Sequence, residues 1–395
     1  MRKTSPFKKA RLHTAVGGLL SLSMLSGNGM AADGMIESLS DYNVNDTQFM
    51  QDLGLTVGGW LSFGATYNAD NPDDNNNTPV TFNDRHGEFQ GNQLNVFIER
   101  AVNEGGDAWD LGFRADILYG TDARFTQAAG LDDELIGDDF RFYKLAFPQF
   151  YLQGYAPILN GVTATVGHFY TIIGNEVVTA PDNFFYSHAY TMQYGEPFTH
   201  TGALLSTPIN DNISVKAGAV LGWDNFSTET DIWNFLGGVN WSSDSGATSL
   251  AITGIQGAVS EDNPNHDRWL YSIVLSHDIT EKLHYLIQHD HGREEIPGGN
   301  NAEGYAVNQY LTFDVNDEVS TGIRAEWFRD DDGTRVTGAV GSYYAVTAGL
   351  NWSPVPWFKI RPEARYDWFD GTGDPYDGGT ESSQFTVATD VVVVF

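Results

Sequence analysis

The chain closes on Gln384-Phe385-Thr386-Val387-Ala388-Thr389-Asp390-Val391-Val392-Val393-Val394-Phe395. Phe385, Val387, Val391, Val393 and Phe395 fall on one face of an extended segment, and Thr386, Ala388 and Asp390 on the other. Successive side chains of a strand point to opposite sides, so a period of two reads as β. One face is apolar and the other polar, which suits a strand with hydrocarbon on one side and water on the other. If this strand closes a barrel, every earlier segment must pair in sequence to reach it.

The same rhythm starts at Leu55. Leu55, Val57, Leu61, Phe63, Ala65 and Tyr67 alternate with Thr56, Gly58, Trp60, Ser62 and Thr66. After a polar loop at 68–91, segments 92–102 and 107–119 flank the turn Asn103-Glu104-Gly105-Gly106, and Leu111, Phe113, Ala115, Ile117 and Tyr119 share one side. Segments 144–157 and 162–169 follow the acidic loop 121–143, and a third long loop runs over 170–197. Paired segments then recur about tight turns at 209–212, 242–246, 278–281, 315–318 and 353–356. The count is about sixteen strands, within a range of roughly 14–18. Short Asn/Asp/Gly turns alternate with longer acidic, Gly-rich loops. A soluble sandwich gives no reason for long and short to take turns. The pattern predicts an all-β fold, a transmembrane antiparallel up-and-down β-barrel with short periplasmic turns and long outer loops. Trp60, Tyr67, Trp109, Tyr119, Trp223, Trp241, Trp269, Trp327, Trp352, Trp357 and Trp368 lie near strand ends, where interfacial girdles are expected.

Bulk composition agrees. The 395 residues include Gly 43, Tyr 18, Phe 24 and Trp 10, and no Cys. Past the first thirty residues no apolar run approaches the roughly 20 that a membrane helix needs. Without disulfides the fold is held by hydrogen bonds and burial, which a closed barrel supplies. A formal charge of -31 argues against nucleic acid as a partner, since that requires a basic face.

Arg2, Lys3, Lys8, Lys9 and Arg11 precede the apolar stretch 14–25, and Gly29-Met30-Ala31-Ala32 offers small residues for cleavage. Residues 1–32 therefore read as a secretory signal peptide. The residue after the cleavage site is not Cys, so no lipoprotein anchor is expected. Residues 33–54 read as a periplasmic lead-in, or alternatively a plug, and 55–395 as the barrel.

The third long loop holds the most distinctive text. It contains Gly167-His168-Phe169-Tyr170-Thr171-Ile172-Ile173-Gly174, Glu176-Val177-Val178, Asn183-Phe184-Phe185-Tyr186-Ser187-His188 and Gly195-Glu196-Pro197-Phe198-Thr199-His200-Thr201-Gly202. With Arg361-Pro362-Glu363-Ala364-Arg365-Tyr366-Asp367-Trp368 before the closing strand, this resembles the β-barrel porin-2 (OmpL-like) family of Gram-negative outer membranes. The resemblance spans roughly 55–395. It implies a channel in the bacterial outer membrane and brings no catalytic or ligand residues with it. A final strand ending in Phe395 is also similar to the assembly signal by which such barrels engage the barrel-assembly machinery.

In general porins the third outer loop folds inward and narrows the barrel. Phe184, Phe185, Tyr186, Tyr190 and Tyr194 are too apolar to stand in water, so the same is expected here, with Asn183, His188 and Glu196 beside them. The bland alternative is a loop packed on the rim. Strand 357–369 puts Ile360, Ala364, Tyr366 and Trp368 outward, so Lys359, Arg361, Glu363, Arg365 and Asp367 point inward. Arg114 and Asp116, Lys216, and Arg324 and Glu326 turn inward on their own strands. Arg or Lys on the lipid face at mid-bilayer costs about 2–4 kcal/mol, which drives this placement. Arginines facing acids across a pore favour small polar solutes. Equally, they pair across the wall and hold the lumen's shape.

Competing chemistry is weak. Asp182, Ser187, His188 and His200 can be drawn as a triad, but no nucleophile elbow surrounds Ser187. His284, His289, Asp290 and His291 could gather a metal, yet Asp290 faces away from His289 and His291. No cofactor, metal site or catalytic role is expected. The function expected is a water-filled channel for passive diffusion of small hydrophilic solutes or ions. The alternative is a non-conducting structural or adhesive surface barrel presenting acidic loops. Lipid and lipopolysaccharide are expected to surround it, and a monomer and a homotrimer both fit.

Overall fold

The computed structural model describes residues 34–137, 142–263, 266–296, 298–299 and 301–395. The expected signal peptide lies outside the described residues. Seventeen hydrogen-bonded segments form one sheet: β1 (Thr56–Asn68), β2 (Phe89–Arg100), β3 (Asp110–Gly120), β4 (Lys144–Ala146), β5 (Phe150–Ala156), β6 (Val162–Tyr170), β7 (Thr199–Pro208), β8 (Ile213–Val220), β9 (Asn234–Ser242), β10 (Thr248–Ala258), β11 (Asp267–Asp278), β12 (Leu283–Glu294), β13 (Ala302–Asp314), β14 (Val319–Asp330), β15 (Val340–Val355), β16 (Phe358–Thr372) and β17 (Ser383–Val394). β4 and β5 both pair with β3, end to end, so they are two pieces of one wall strand and the barrel has sixteen. Pro148 lies between them, and proline has no N–H for a ladder.

All neighbouring strands are antiparallel, and β17 pairs with β1 to close the ring from Trp60↔Val394 to Asn68↔Thr386. Phe395 completes the seam, donating its N–H to the Gly59 carbonyl (2.9 Å) and accepting the Gly59 N–H (3.0 Å). Closure removes every edge, so no backbone donor meets hydrocarbon unpaired. No described helix is long and apolar enough to cross a membrane.

The faces divide as the period of two requires. On β17 Phe385 and Val387 point outward and are exposed, while Gln384, Thr386, Ala388 and Asp390 point inward and are buried. On β1 Tyr67 points out, and Trp60, Ser62 and Thr66 point in. Trp60 is thus no girdle residue: its indole donates to Gln93 Oε1 at 2.7 Å inside the barrel. Trp109 and Trp352 stand exposed outside, at strand ends.

Long connections (69–88, 121–143 and 171–198) share one end of the barrel, and tight ones (209–212, 279–282 and 315–318) the other. The lead-in forms two short helices, α1 (Met35–Ser40) and α2 (Gln48–Leu53), at the tight-turn end. Asn45 exchanges two hydrogen bonds with the Val57 backbone, and Gly34 packs on the Phe395 backbone. Ile36, Leu39 and Phe49 remain exposed, so this segment rests on the rim instead of filling the lumen.

Candidate functional site

Loop 171–198 leaves β6, folds into the barrel and returns to β7. Room for it is made by the wall. Gly64 on β1, Gly322 on β14 and Gly349 on β15 face inward at the points where Tyr186, Phe184 and Phe185 arrive. A Cβ would lie 2.8 Å from the Tyr186 ring at Gly64, 2.5 Å from the Phe184 ring at Gly322 and 3.1 Å from the Phe185 ring at Gly349. Three consecutive aromatics thus occupy three sockets at glycines, with no room for a Cβ at Gly64 and Gly322 and a tight fit at Gly349. The apolar side chains that could not stand in water are covered.

Polar groups of β14 and β16 then hold the loop's backbone. Arg361 NH1 donates to the carbonyls of Ala180 (2.9 Å) and Asn183 (2.7 Å). Arg324 NH1 donates to Ser187 O and to Glu176 Oε1, each at 2.7 Å. Arg365 NH1 donates to His188 O (2.5 Å), and Lys359 Nζ to Pro181 O (2.8 Å). The carboxylates take the loop's N–H groups. Glu363 accepts from Tyr186 (2.9 Å) and Ser187 (3.1 Å), and Glu326 from Tyr190 (2.6 Å). Tyr190 Oη donates to Asp367 at 2.9 Å. Beyond the β17–β1 seam, Gln93 on β2 donates to Val178 O (2.7 Å) and accepts the Ala180 N–H (3.1 Å), while Asn92 accepts the Tyr186 hydroxyl (2.9 Å). The loop therefore lies against one arc of the wall, from β14 through the β17–β1 seam to β2.

These charges are buried, so their pairing matters. Arg324, Arg361 and Arg365 are at most 2% exposed. Arg361 is matched by Asp390 in a fork, and Arg365 by Asp367 and Glu326. A buried charge left unmatched would be strongly destabilising, so each guanidinium carries a carboxylate as well as a loop carbonyl. Within the loop, burial alone would raise the Glu176 carboxyl, but the Arg324 charge and the His188 bond overcome it and hold it well below the usual range.

The expected inward residues all face the interior. Lys359, Arg361, Glu363, Arg365, Asp367, Arg324 and Glu326 converge on the loop. Arg114 and Asp116 do not: Arg114 pairs with Asp116 and with Glu99 on the β2–β3 wall, its guanidinium 4.2 Å from the Phe97 ring. Lys216 is buried separately on β8. All six expected loop residues (Asn183, Phe184, Phe185, Tyr186, His188 and Glu196) lie in the inward segment. Sequence inspection missed Glu176, Gln93, Asn92 and Gln288 as anchors. Their only signal was polar character at inward positions of strands or in an apolar loop.

The groups considered for other chemistry are engaged separately. Ser187 Oγ accepts from Arg324, His188 pairs with Glu176, His200 bonds the Gly222 carbonyl, and Asp182 takes the Thr179 hydroxyl. Asp290 points inward, whereas His289 bonds the Tyr271 hydroxyl and the Ala306 carbonyl on the outer face. Among the described residues no group of three or more such side chains is placed to hold a metal.

Away from this arc the interior holds an apolar cluster, beside inward polar groups such as Lys216, Asn240 and Thr253 on the same strands. Leu204, Val220, Leu236, Ile255 and Leu270, from β7 to β11, face inward and pack on Phe169 and Ile173. Above them at the long-loop end lies a cleft of about 200 Å³, lined by residues including Trp223, Asn225, Asn234 and Arg268. Trp223 is not a girdle residue either: Arg268 and Arg335 lie 4.5 and 5.4 Å from its ring.

A closed barrel with a loop folded into it defines a type of protein, and the sequence identifies which. Residues 54–395 match the family described as "Putative beta-barrel porin-2, OmpL-like". The chain belongs to this family. Solved structures similar to this porin-2 barrel include the outer membrane channel DcaP of Acinetobacter baumannii, with a TM-score of 0.57, 10% identity, and coverage of 86% of this chain and 97% of that one. OprB of Pseudomonas putida gives a TM-score of 0.60 at 12% identity, covering 92% of this chain and 99% of that one. An anion-selective porin from Comamonas acidovorans gives 0.56 at 11% identity, covering 86% and 99%. At such identities the likeness is one of fold. No curated protein sequence matches the chain. Family and fold together give the porin-2 protein a porin-like channel role and point to the bacterial outer membrane.

Proposed function

We propose that this protein is an outer-membrane porin passing small hydrophilic solutes or ions by passive diffusion, with loop 171–198 as its constriction. The observation that carries this is the loop itself, seated in a polar half-lumen by Arg324, Arg361, Arg365 and Glu363. A loop held this way sets the bore, and charged groups beside it sort solutes by size and charge. The chain is exported by its amino-terminal signal and surrounded by lipid and lipopolysaccharide, with its closing strand engaging the assembly machinery. The test is single-channel conductance of the refolded protein in a planar bilayer under a salt gradient. Stepwise ohmic openings are expected, and the reversal potential reads ion preference. Clean insertion without conductance would overturn the proposal.

One observation favours a second reading. The inward Leu204, Val220, Leu236, Ile255 and Leu270 are buried against one another, so part of the interior holds apolar packing. A barrel filled this way fits a surface protein presenting acidic loops, and insertion without conductance would favour it.

A further inference from the structure

Two carboxyl groups meet where loop 171–198 turns back toward β7. Glu196, at the loop's end, and Asp290, on the inward face of β12, are 5% and 3% exposed. Both accept from the same nitrogen, Gln288 Nε2, which lies 2.9 Å from Asp290 Oδ1 and also bonds Glu196 Oε1. The Gln288 amide cannot be turned the other way, because its Oε1 accepts the backbone N–H of Asn175 at 3.1 Å. An N–H therefore sits between the two carboxyls, where a bound cation would need an acceptor. Ser272 Oγ donates to Asp290 Oδ1 at 2.6 Å, and Asp290 Oδ2 is buried without a hydrogen-bond partner. Gly174 lies directly on the Glu196 carboxyl: a Cβ there would fall 2.1 Å from Oε2, and its φ of +87° favours glycine as well.

The surroundings supply no compensating charge. Among the described residues no basic side chain forms an ion pair with either carboxyl. Glu176, from the same loop, adds a further negative charge, already matched by Arg324 and His188. His289 is adjacent to Asp290 but turns to the outer face. Two carboxylates at this depth cannot both stay ionised, since burial and like charge act together. Burial and the neighbouring Asp290 raise the Glu196 carboxyl well above its usual range.

We propose that Glu196 and Asp290 form a proton-dependent latch, in which one shared proton holds the end of loop 171–198 against β12 and its loss frees that end and widens the bore. The Arg clamps on β14 and β16 keep the rest of the loop in place, so release moves only the arm around Glu196. The sign follows from the proton count: low pH closes the latch, and rising pH opens it.

The widening rests on the channel reading, so two measurements separate the claims. Infrared difference spectroscopy of the folded protein reads the protonated carboxyl directly, whether or not ions pass. A carboxyl band that disappears as pH rises, and is absent in Glu196→Gln, is expected. Conductance is expected to step up over the same pH range and to lose that dependence in Glu196→Gln, whose amide stays neutral and keeps the latch shut. Asp290→Asn gives the same loss of dependence and serves if the first variant does not fold. A titrating band without conductance at any pH would support the latch and overturn the channel. No band, an unchanged pH response in both variants, or control by calcium at fixed pH would overturn the latch.

Discussion

Arg361 on β16 and Asp390 on β17 face one another across a single rung of the sheet, Nε to Oδ1 at 2.8 Å and NH2 to Oδ2 at 2.5 Å. Both are buried, and the free edge of the guanidinium carries the loop carbonyls of Ala180 and Asn183. The wall pair thus doubles as a bracket for the inward loop. Removing one partner of a buried pair costs about 3–5 kcal/mol. Asp390→Ala is expected to lower the unfolding midpoint in detergent by that order and to enlarge the conductance step. The double variant Arg361→Met, Asp390→Leu is expected to recover much of the stability but not the narrow bore, because Ala180 and Asn183 stay unheld. Urea titration and conductance on the same preparations check both.

The glycine sockets make a steric prediction. Gly322→Val places a branched side chain where the Phe184 ring sits, and neither can yield without moving the loop. Overpacking of this kind costs typically about 1–3 kcal/mol. The expected outcome is a folded barrel with a displaced loop, seen as faster proteolysis within 176–196 and noisier openings. Unchanged protease resistance would count against the socket.

The outward faces can be tested with one charge. Ile252 is 45% exposed on the lipid side of β10, midway along the strand and opposite Val239 and Ile273. Ile252→Arg is expected to cost about 2–4 kcal/mol, whereas a rim substitution such as Trp109→Arg costs about 0–1 kcal/mol. Folding free energy into lipid vesicles, measured by denaturant titration, distinguishes the two.

Asp224 predicts a pH effect at the long-loop end. Burial raises its carboxyl from 3.8 to about 6, partly offset by the N–H groups of Thr199 and Phe198 that it accepts. A carboxyl raised on folding contributes stability that is complete below the unfolded value and is lost as pH rises through the folded one. The window is therefore from 3.8 to about 6, with stability falling as pH increases. Asp224→Asn is expected to flatten that slope, by on the order of 1–3 kcal/mol across the window. Thermal unfolding at a series of pH values measures it.

Much of this architecture was legible because a membrane barrel writes itself locally. Each strand alternates at period two, as Phe385 and Val387 do against Thr386 and Asp390, and the long and short connections take turns. The inward loop was legible from Phe184, Phe185 and Tyr186, whose apolar surface needs cover. What a given charge touches was not. Arg361 reaches Ala180 only after the ring closes and the register is set, and nothing local encodes that. The split of the fourth wall strand was hidden too, since Pro148 sits inside the single segment 144–157 with strand-like residues on both sides. Trp60 and Trp223 misled for one reason: aromatic residues serve membrane belts and interior packing equally well, and composition does not separate the uses.

The bonds that seat the inward loop have a consequence for biogenesis. Arg365 and His188 are 177 residues apart, and Arg361 and Ala180 181. The loop is made early, but its brackets belong to the last strands of the chain. Until β14–β17 are laid down, and Phe395 is stitched to Gly59, the backbone of segment 176–196 can meet Gln93 on β2 at Val178 and Ala180 but none of its brackets on β14 and β16. The same strands that finish the ring finish the loop's seat, so closing the wall and fixing what lies inside it are one event.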